Sequence, residues 1–367
     1  MKVPFFNFKK SFLFYEKEIN EAIKKTLLSG WYILGKELDQ FEKKFADYCG
    51  AKFCIGVGNG LDALKIIIKS YKELGILKDD DEVIAPANTY IATIISILDC
   101  GLKPVLVEPE LDSFNINPLK IEEAITKKTK AIMSVNLYGQ LAKMELIKKI
   151  SLKYKLITIE DCAQSHGAKN NNGLASGTLS DASGFSFYPS KNLGAIGDAG
   201  AIITNDESVA KLCKVIRNYG SEKKNHNQIL GVNSRLDEIQ AAILNVKLKY
   251  LDKENIIRRK VASKYINEIK NEKILLPKKL DYQDHVYHLF VIRTKFRDKL
   301  KHHLKNAGIE TLIHYPIPPH KQPALYKYNH LKLPITELIH DEILSLPCNP
   351  WLSLEDQDLI IKTCNDF

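Results

Sequence analysis

Two stretches of this chain combine side chains that do chemistry with turns that would expose them. In Ile159-Glu160-Asp161-Cys162-Ala163-Gln164-Ser165-His166-Gly167, an acid follows a short apolar run, Leu156 to Ile159. In Phe185-Ser186-Phe187-Tyr188-Pro189-Ser190-Lys191-Asn192-Leu193-Gly194-Ala195-Ile196-Gly197-Asp198-Ala199-Gly200, a lone lysine stands between a hydrophobic strand and a glycine-rich turn. An amine condenses with a carbonyl to form a Schiff base, and a carboxylate beside a pyridine nitrogen keeps that ring protonated and able to accept electrons. An acid and an amine at neighbouring strand ends therefore point to pyridoxal phosphate chemistry. Singly, each residue has a plainer explanation: an acid after a strand caps helices, and most lysines in a lysine-rich chain face water.

A third stretch, Val57-Gly58-Asn59-Gly60-Leu61-Asp62-Ala63-Leu64, runs from a strand into a helix. Its glycines let the backbone approach a ligand, and the helix amino end offers free N–H groups to a phosphate. A dinucleotide fingerprint requires a third glycine that this turn lacks, which disfavours a nicotinamide-dependent oxidoreductase. Asn88-Thr89-Tyr90 adds an aromatic face. Ligands of open parallel sheets collect at the carboxyl ends of the strands, so all four stretches are expected on one edge. A phosphate site, a ring platform, an acid and an amine together describe one cofactor.

The elements that must position these residues alternate. Tyr15, Ile19, Ile23 and Leu27 recur at helical spacing up to Gly30, and Leu38, Phe41, Phe45 and Tyr48 repeat the pattern up to Gly50. Apolar runs at Phe53 to Val57, Glu82 to Ala85, Lys103 to Val107, Ala131 to Val135 and Leu156 to Ile159 read as buried strands. Helical stretches at Leu61 to Leu74, Ile91 to Leu98 and Ala142 to Lys153 lie between them. This predicts an α/β fold with a mostly parallel central sheet covered on both faces. A long helical region, Arg235 to Ile269, leads to a smaller C-terminal α/β domain. There Val286 to Ile292, Phe296 to Asn306 and Ile309 to Ile313 read as strand, helix and strand, followed by the proline-rich stretch Tyr315 to Pro323 and a final helix near Thr336 to Leu344. The expected division is a large cofactor-binding domain, 1–250, and a smaller one, 251–367.

Composition sets the bounds. The 367 residues are 45% hydrophobic and 26% charged, enough for a substantial core. No apolar run approaches the ~20 residues of a membrane span, and Met1-Lys2-Val3-Pro4-Phe5 lacks the basic-then-apolar layout of a secretion signal. A cytoplasmic protein without a membrane partner is expected. Seven scattered cysteines form no metal-binding spacing, so no metal is expected and the thiols read as reduced and structural. The net charge of +9 is carried in short separated groups such as Lys127-Lys128 and Arg258-Arg259-Lys260. These read as solvated faces rather than a nucleic-acid stripe, and the charge is compatible with an anionic small substrate.

Over nearly its whole length the sequence resembles the DegT-like (StrS-type) sugar aminotransferases, whose fold is similar to aspartate aminotransferase (fold type I of the pyridoxal phosphate enzymes). The resemblance is carried by Gly30-Trp31-Tyr32-Ile33-Leu34-Gly35, Ala87 to Thr93, Glu160 to Gln164, Phe185 to Gly200, Gly231-Val232-Asn233-Ser234-Arg235-Leu236-Asp237, and Ile313-His314-Tyr315-Pro316. It implies that Lys191 forms the internal aldimine with pyridoxal 5'-phosphate and Asp161 pairs with the pyridine nitrogen. It also implies that Tyr90 stacks on the ring, Gln164 lies near the phenolic oxygen, and Ser186 with the backbone of Gly60 and Leu61 holds the phosphate. Asn233 would reach the phosphate of a partner subunit, making a homodimer with shared sites.

Within that family, Tyr188 to Gly194 and His314 to Pro323 resemble the branch that aminates carbon 3 of dTDP-linked 3-keto-6-deoxyhexoses, with glutamate as the amino donor. Such enzymes make amino sugars for surface glycans such as lipopolysaccharide O-antigen. The resemblance places Tyr188 and His320 against the sugar or its diphosphate, with Tyr219, Arg217, His314 and Tyr315 as looser substrate candidates. A UDP-linked keto-sugar aminotransferase acting on an N-acetylated uronate would share most of these motifs. Related dehydratases carry histidine where Lys191 stands, and a non-catalytic sugar-nucleotide or cofactor sensor would be expected to lose Lys191 or Asp161.

Overall fold

The computed structural model describes residues 2–223, 225–278 and 283–367. Helices α1 (Phe8–Ser29) and α2 (Lys36–Cys49) precede β1 (Phe53–Val57), α3 (Gly60–Glu73), β2 (Glu82–Pro86), α4 (Ile91–Leu98), β3 (Lys103–Val107), α5 (Pro118–Ala124) and β4 (Thr129–Val135). Then come α6 (Met144–Tyr154), β5 (Ile157–Asp161), β6 (Ala182–Ser186), β7 (Gly200–Thr204), α7 (Glu207–Ile216), β8 (Ser221–Lys223), β9 (His226–Asn227), α8 (Glu238–Lys247) and α9 (Leu251–Glu268). The chain closes with β10 (Phe290–Arg293), α10 (Arg297–Asn306), α11 (Pro334–Glu342), β11 (Ile343–Leu346) and α12 (Leu354–Asn365).

The first two helices end where glycine permits a left-handed residue, Gly30 at φ +65° and Gly50 at φ +73°. The start of α2 is capped from far away in sequence. The buried carboxylate of Glu238 accepts the N–H groups of Gly35 (2.8 Å), Glu37 (2.9 Å) and Leu38 (3.1 Å), placing negative charge on the positive end of the helix.

The central sheet has seven strands in the order β1-β7-β6-β5-β4-β2-β3. Strands β6, β5, β4, β2 and β3 pair in parallel, whereas β7 runs antiparallel to both β6 and β1. The α/β, mostly parallel architecture is thus present, and the reversed strand has a consequence for the site. In register, Gly200 opposes both Ser186 and Val57, so β7 begins on the edge where β1 and β6 end. One apolar cluster packs α3, α4 and α7 on one face; a second packs α2 and α8 on the other. A third groups Val3 with residues between Val261 and Cys364.

Several boundaries differ from expectation. Asp161 is the last residue of β5, paired opposite Gly184 and Val135, because the ladder continues past the apolar run. The region Arg235 to Ile269 is not one helix: α8 starts at Glu238 and a 3-10 turn, Leu248–Tyr250, separates it from α9. The side chains of Lys249 and Tyr250 in that turn both reach Glu18 on α1. Of Val286 to Ile292, only the end is strand. Ile309 to Ile313 forms single bridges, Ile309 with Val3 and Leu312 with Ser345, rather than a strand. The helix near Thr336 stops at Glu342, and Ile343–Leu346 pairs with β10. The final helix is α12, started by a capping box of Ser353 and Asp356.

All seven cysteines are buried and free. The group Arg258-Arg259-Lys260 is not simply a solvated face, since Arg258 is buried and donates to the carbonyl of Cys348 (2.6 Å). Among the described residues, no helix is long and apolar enough to cross a membrane, and no cluster of three or more His, Cys, Asp or Glu is arranged to hold a metal.

Candidate active site

The carboxyl ends of β1, β4, β5 and β6 and the amino ends of α3 and α4 open on one cavity of about 530 Å³. Asn59, Gly60, Leu61, Tyr90, Asp161, Gln164, Ser186, Tyr188, Lys191, His314 and Tyr315 line it. Residues spread over more than 250 positions therefore converge because the strand ends do.

The helix amino end at β1 is prepared for an anion. Asn59 accepts from Asp62 N–H (2.8 Å), leaving the N–H groups of Gly60 and Leu61 without partners within the helix. A Cβ on Gly60 would lie 2.6 Å from Ser186 Cβ, and one on Gly200 would lie 2.4 Å from the Asn59 carbonyl. Only glycine lets α3 begin this close to β6 and β7. Ser186 thus lines the cavity together with Gly60 and Leu61.

Asp161 is 7% exposed and held at both oxygens. Thr93 Oγ1 donates to Oδ2 (2.8 Å), Thr89 Oγ1 lies 2.7 Å from Thr93 Oγ1, and Ala163 N–H donates to Oδ1 (3.1 Å). Burial raises the carboxyl's pKa, offset in part by Thr93, the Ala163 amide and the Lys191 charge. Burial also lowers the Lys191 ammonium to about 8, with Asp161 opposing the shift. The amine is therefore deprotonated, and nucleophilic, at a far lower pH than an exposed lysine.

The opposite wall joins Tyr90 and Gln164 to His314 and Tyr315 from the later part of the chain. Gln164 accepts from Tyr138 N–H (2.6 Å) and donates to the Tyr315 hydroxyl (3.0 Å). The Tyr90 ring, 53% exposed, lies 5.1 Å from that of Tyr315. His314 shares a hydrogen bond with Ser345 Oγ (2.9 Å), and Tyr138 donates to the His314 carbonyl. Burial followed by the Lys191 charge lowers His314 to about 4.

Four expected residues lie elsewhere. His320 is fully buried and bonds to Glu337 (3.0 Å); the 3-10 turn Pro319–Lys321 directs it inward. Arg217 is buried behind β1, bonded to Glu42 and to the Gly56 carbonyl. Tyr219 is half-exposed under the Arg235 guanidinium, and Asn233 is exposed, its backbone bridging Asn218. Thr93, Asp198 and His288 are at the site without having been expected. Thr93 gave no local signal, since the Asp161 it meets is 68 positions away. Nor did His288, since the segment around it read as strand.

Pyridoxal phosphate fits this set. The cradle at Gly60, which a Cβ would fill, has room and free N–H groups for a phosphate; the buried carboxylate suits a protonated ring nitrogen; and the partly buried amine, lowered by the same burial, suits an aldehyde. Comparison with known proteins agrees. Residues 14–365 match the model of the DegT/DnrJ/EryC1/StrS aminotransferase family. The chain is 54% identical over 365 residues to dTDP-3-amino-3,6-dideoxy-alpha-D-galactopyranose transaminase of Aneurinibacillus thermoaerophilus, covering 100% of this chain and 99% of that one. The structure is similar to that of S. venezuelae DesV in complex with a ketimine intermediate (TM-score 0.95, 40% identity, 99% and 98% covered). It is also similar to NtdA from Bacillus subtilis with the cofactor PMP bound (TM-score 0.91, 35% identity, 99% and 84% covered). The chain is a pyridoxal-phosphate-dependent enzyme and belongs to the DegT/DnrJ/EryC1/StrS aminotransferase family.

Proposed function

We propose that the enzyme moves an amino group from an amino acid, L-glutamate in this reading, to carbon 3 of a dTDP-linked 3-keto-6-deoxyhexose. The product would be a 3-amino-3,6-dideoxy sugar nucleotide for a surface glycan such as O-antigen, made in the cytoplasm. The observation that carries this is the convergence of Lys191 and Asp161 on one cavity in a chain 54% identical, end to end, to the Aneurinibacillus transaminase.

Pyridoxal phosphate, when bound, supplies a carbonyl for the migrating nitrogen and a ring that accepts the electron pair of the bond broken at the donor's alpha carbon. Lys191 would anchor it through Nζ, and the same Nζ would move the proton to and from the donor's alpha carbon. Asp161, fixed by Thr93 and Ala163, keeps the ring nitrogen protonated. The N–H groups of Gly60 and Leu61 and the Ser186 hydroxyl would hold the phosphate, Tyr90 would cover the ring, and Gln164 would serve the phenolic oxygen. Tyr188, His314 and Tyr315 face the sugar. His320 and Arg217, committed to Glu337 and Glu42, serve the framework.

Asn233, whose backbone bridges Asn218 next to Tyr219, is exposed on the surface of its own subunit. In this reading it completes the neighbour's phosphate site in a two-fold homodimer. The chain divides into a cofactor-binding part, 1–250, and a smaller part, 251–367, which supplies His314 and Tyr315.

Incubation with glutamate and a panel of dTDP- and UDP-linked keto sugars, read by mass spectrometry, tests the substrate. Amination of the dTDP-linked 3-keto-6-deoxyhexose is expected, and turnover of only UDP-linked N-acetylated uronates would overturn the assignment. Mixing Lys191→Ala with Asn233→Asp subunits tests the shared site: one site of the heterodimer carries both lesions and the other neither. Activity should return on mixing; no recovery despite subunit exchange would confine the loop to its own chain.

A further inference from the structure

Directly behind the cavity, one side chain touches both chemical loops. Asn255 on α9 is 1% exposed. Its Nδ2 donates to the His166 carbonyl (2.8 Å), on the loop that leaves Asp161. Its Oδ1 accepts from Asn192 Nδ2 (2.8 Å), on the residue that follows Lys191. Asn192 is itself held on both ends of its amide, donating to the Val286 carbonyl (3.1 Å) and meeting His288 Nδ1 at 3.1 Å. His166 in turn bonds through Nε2 to the Ser186 carbonyl (2.9 Å). The fit is tight: a Cβ on Gly167 would lie 2.7 Å from Asn255 Nδ2.

We propose that Asn255 is a positioning residue, whose single amide fixes the Asp161 loop and the Lys191 loop at one mutual spacing. An amide suits the task because it presents a donor and an acceptor on one rigid plane. One end satisfies a buried carbonyl and the other a buried N–H, and losing either contact leaves an unpaired polar group. A carboxylate at this place would offer no donor to the His166 carbonyl. The inference rests on Lys191 and Asp161 being the reacting pair, and it predicts that α9, which does not line the cavity, sets their geometry.

The groups that face Lys191 are Asp161, Asp198, His166, His288, His314 and Tyr315. Burial holds the three histidines neutral, so the amine's proton affinity reports its burial and its distance from Asp161. The test is the pH midpoint at which Lys191 is acylated by acetic anhydride in cofactor-free protein, measured by peptide mass spectrometry. No sugar is present, so a wrong substrate assignment does not affect the readout. Asn255→Ala should move the midpoint by about one pH unit. In the loaded enzyme it should lower kcat on the order of tenfold to a hundredfold, with KM for the sugar little changed. A lowered melting temperature with the midpoint and kcat unmoved would make Asn255 merely structural and overturn the proposal. Should Asn255→Ala not fold, Asn192→Ala removes the same bridge from the other side, and an unmoved midpoint there overturns it equally.

Discussion

The two walls of the cavity are built differently. The proposed cofactor wall consists mainly of residues at strand ends, Asp161 on β5, Ser186 on β6 and Gly60 at the start of α3, each held by ladder register or by backbone approach, with Lys191 on the turn between β6 and β7. The proposed substrate wall consists of loop residues: His314 and Tyr315, held by hydrogen bonds from distant elements, and Tyr188, whose N–H donates to the nearby Ser186 hydroxyl. A strand end has nowhere else to point, whereas a loop residue points where its contacts send it. His320 shows the difference: six residues past His314, it turns inward to Glu337.

On this contrast, lesions in the cofactor wall are expected to act on chemistry and lesions in the substrate wall on binding. The largest effect is expected for Lys191→Ala, which should lower transfer by about 10⁴-fold or more. Borohydride-treated wild type should carry the cofactor's mass on the Lys191 peptide, and transfer at near wild-type rate in the variant would remove Lys191 from the mechanism. Asp161→Asn should slow the proton-transfer step by roughly 10²–10⁴, with a larger isotope effect from alpha-deuterated glutamate. Unchanged turnover would reduce Asp161 to a structural acid.

Gly60→Ala sharpens the comparison without touching a reactive group. Its Cβ would press on Ser186 at 2.6 Å, so cofactor affinity, followed by fluorescence titration, should weaken on the order of tenfold to a hundredfold. Equal affinity would show that the turn does not hold the phosphate. On the other side, His320→Ala should leave KM for the sugar unchanged while costing about 1–3 kcal/mol of stability; a raised KM with unchanged melting would return His320 to the substrate wall.

The smallest effect is a graded one with pH. Burial lowers His166 and His285 to about 3 and His314 and His340 to about 4. These folded values lie below the 6.5 of a free imidazole, so on acidification the unfolded chain binds protons first. The stability these histidines contribute is present above about pH 6.5 and lost as pH falls toward 4. Melting temperature of the cofactor-free protein should decline across that window, and a flat profile would mean that these rings are reached by water.

Much of the fold was legible because its signals are local. Helical spacing ending at Gly30 and Gly50 located α1 and α2, and apolar runs located β1 to β5. What failed depended on pairing: β11 follows α11 without a break and is a strand only because β10 lies beside it. The same apolar character in Ile309 to Ile313 forms no strand because each end meets a different neighbour. In the site, the types and order of Asp161, Lys191 and the Gly58 to Leu61 turn were sufficient to name the cofactor chemistry. Thr93, 68 positions before Asp161, and His288 were not assigned there, since only the folded sheet brings them to it.

The sequence by itself determined which chemistry the chain carries, because an amine, an acid and an anion-binding turn are properties of contiguous residues at the ends of periodic segments. Only the tertiary structure decided how that chemistry is tuned and bounded. Burial that lowers Lys191, the reversed β7 that brings Gly200 against Asn59, and the inward turn of His320 all arise from contacts between distant segments. Desolvation and steric exclusion exist only once those segments have met.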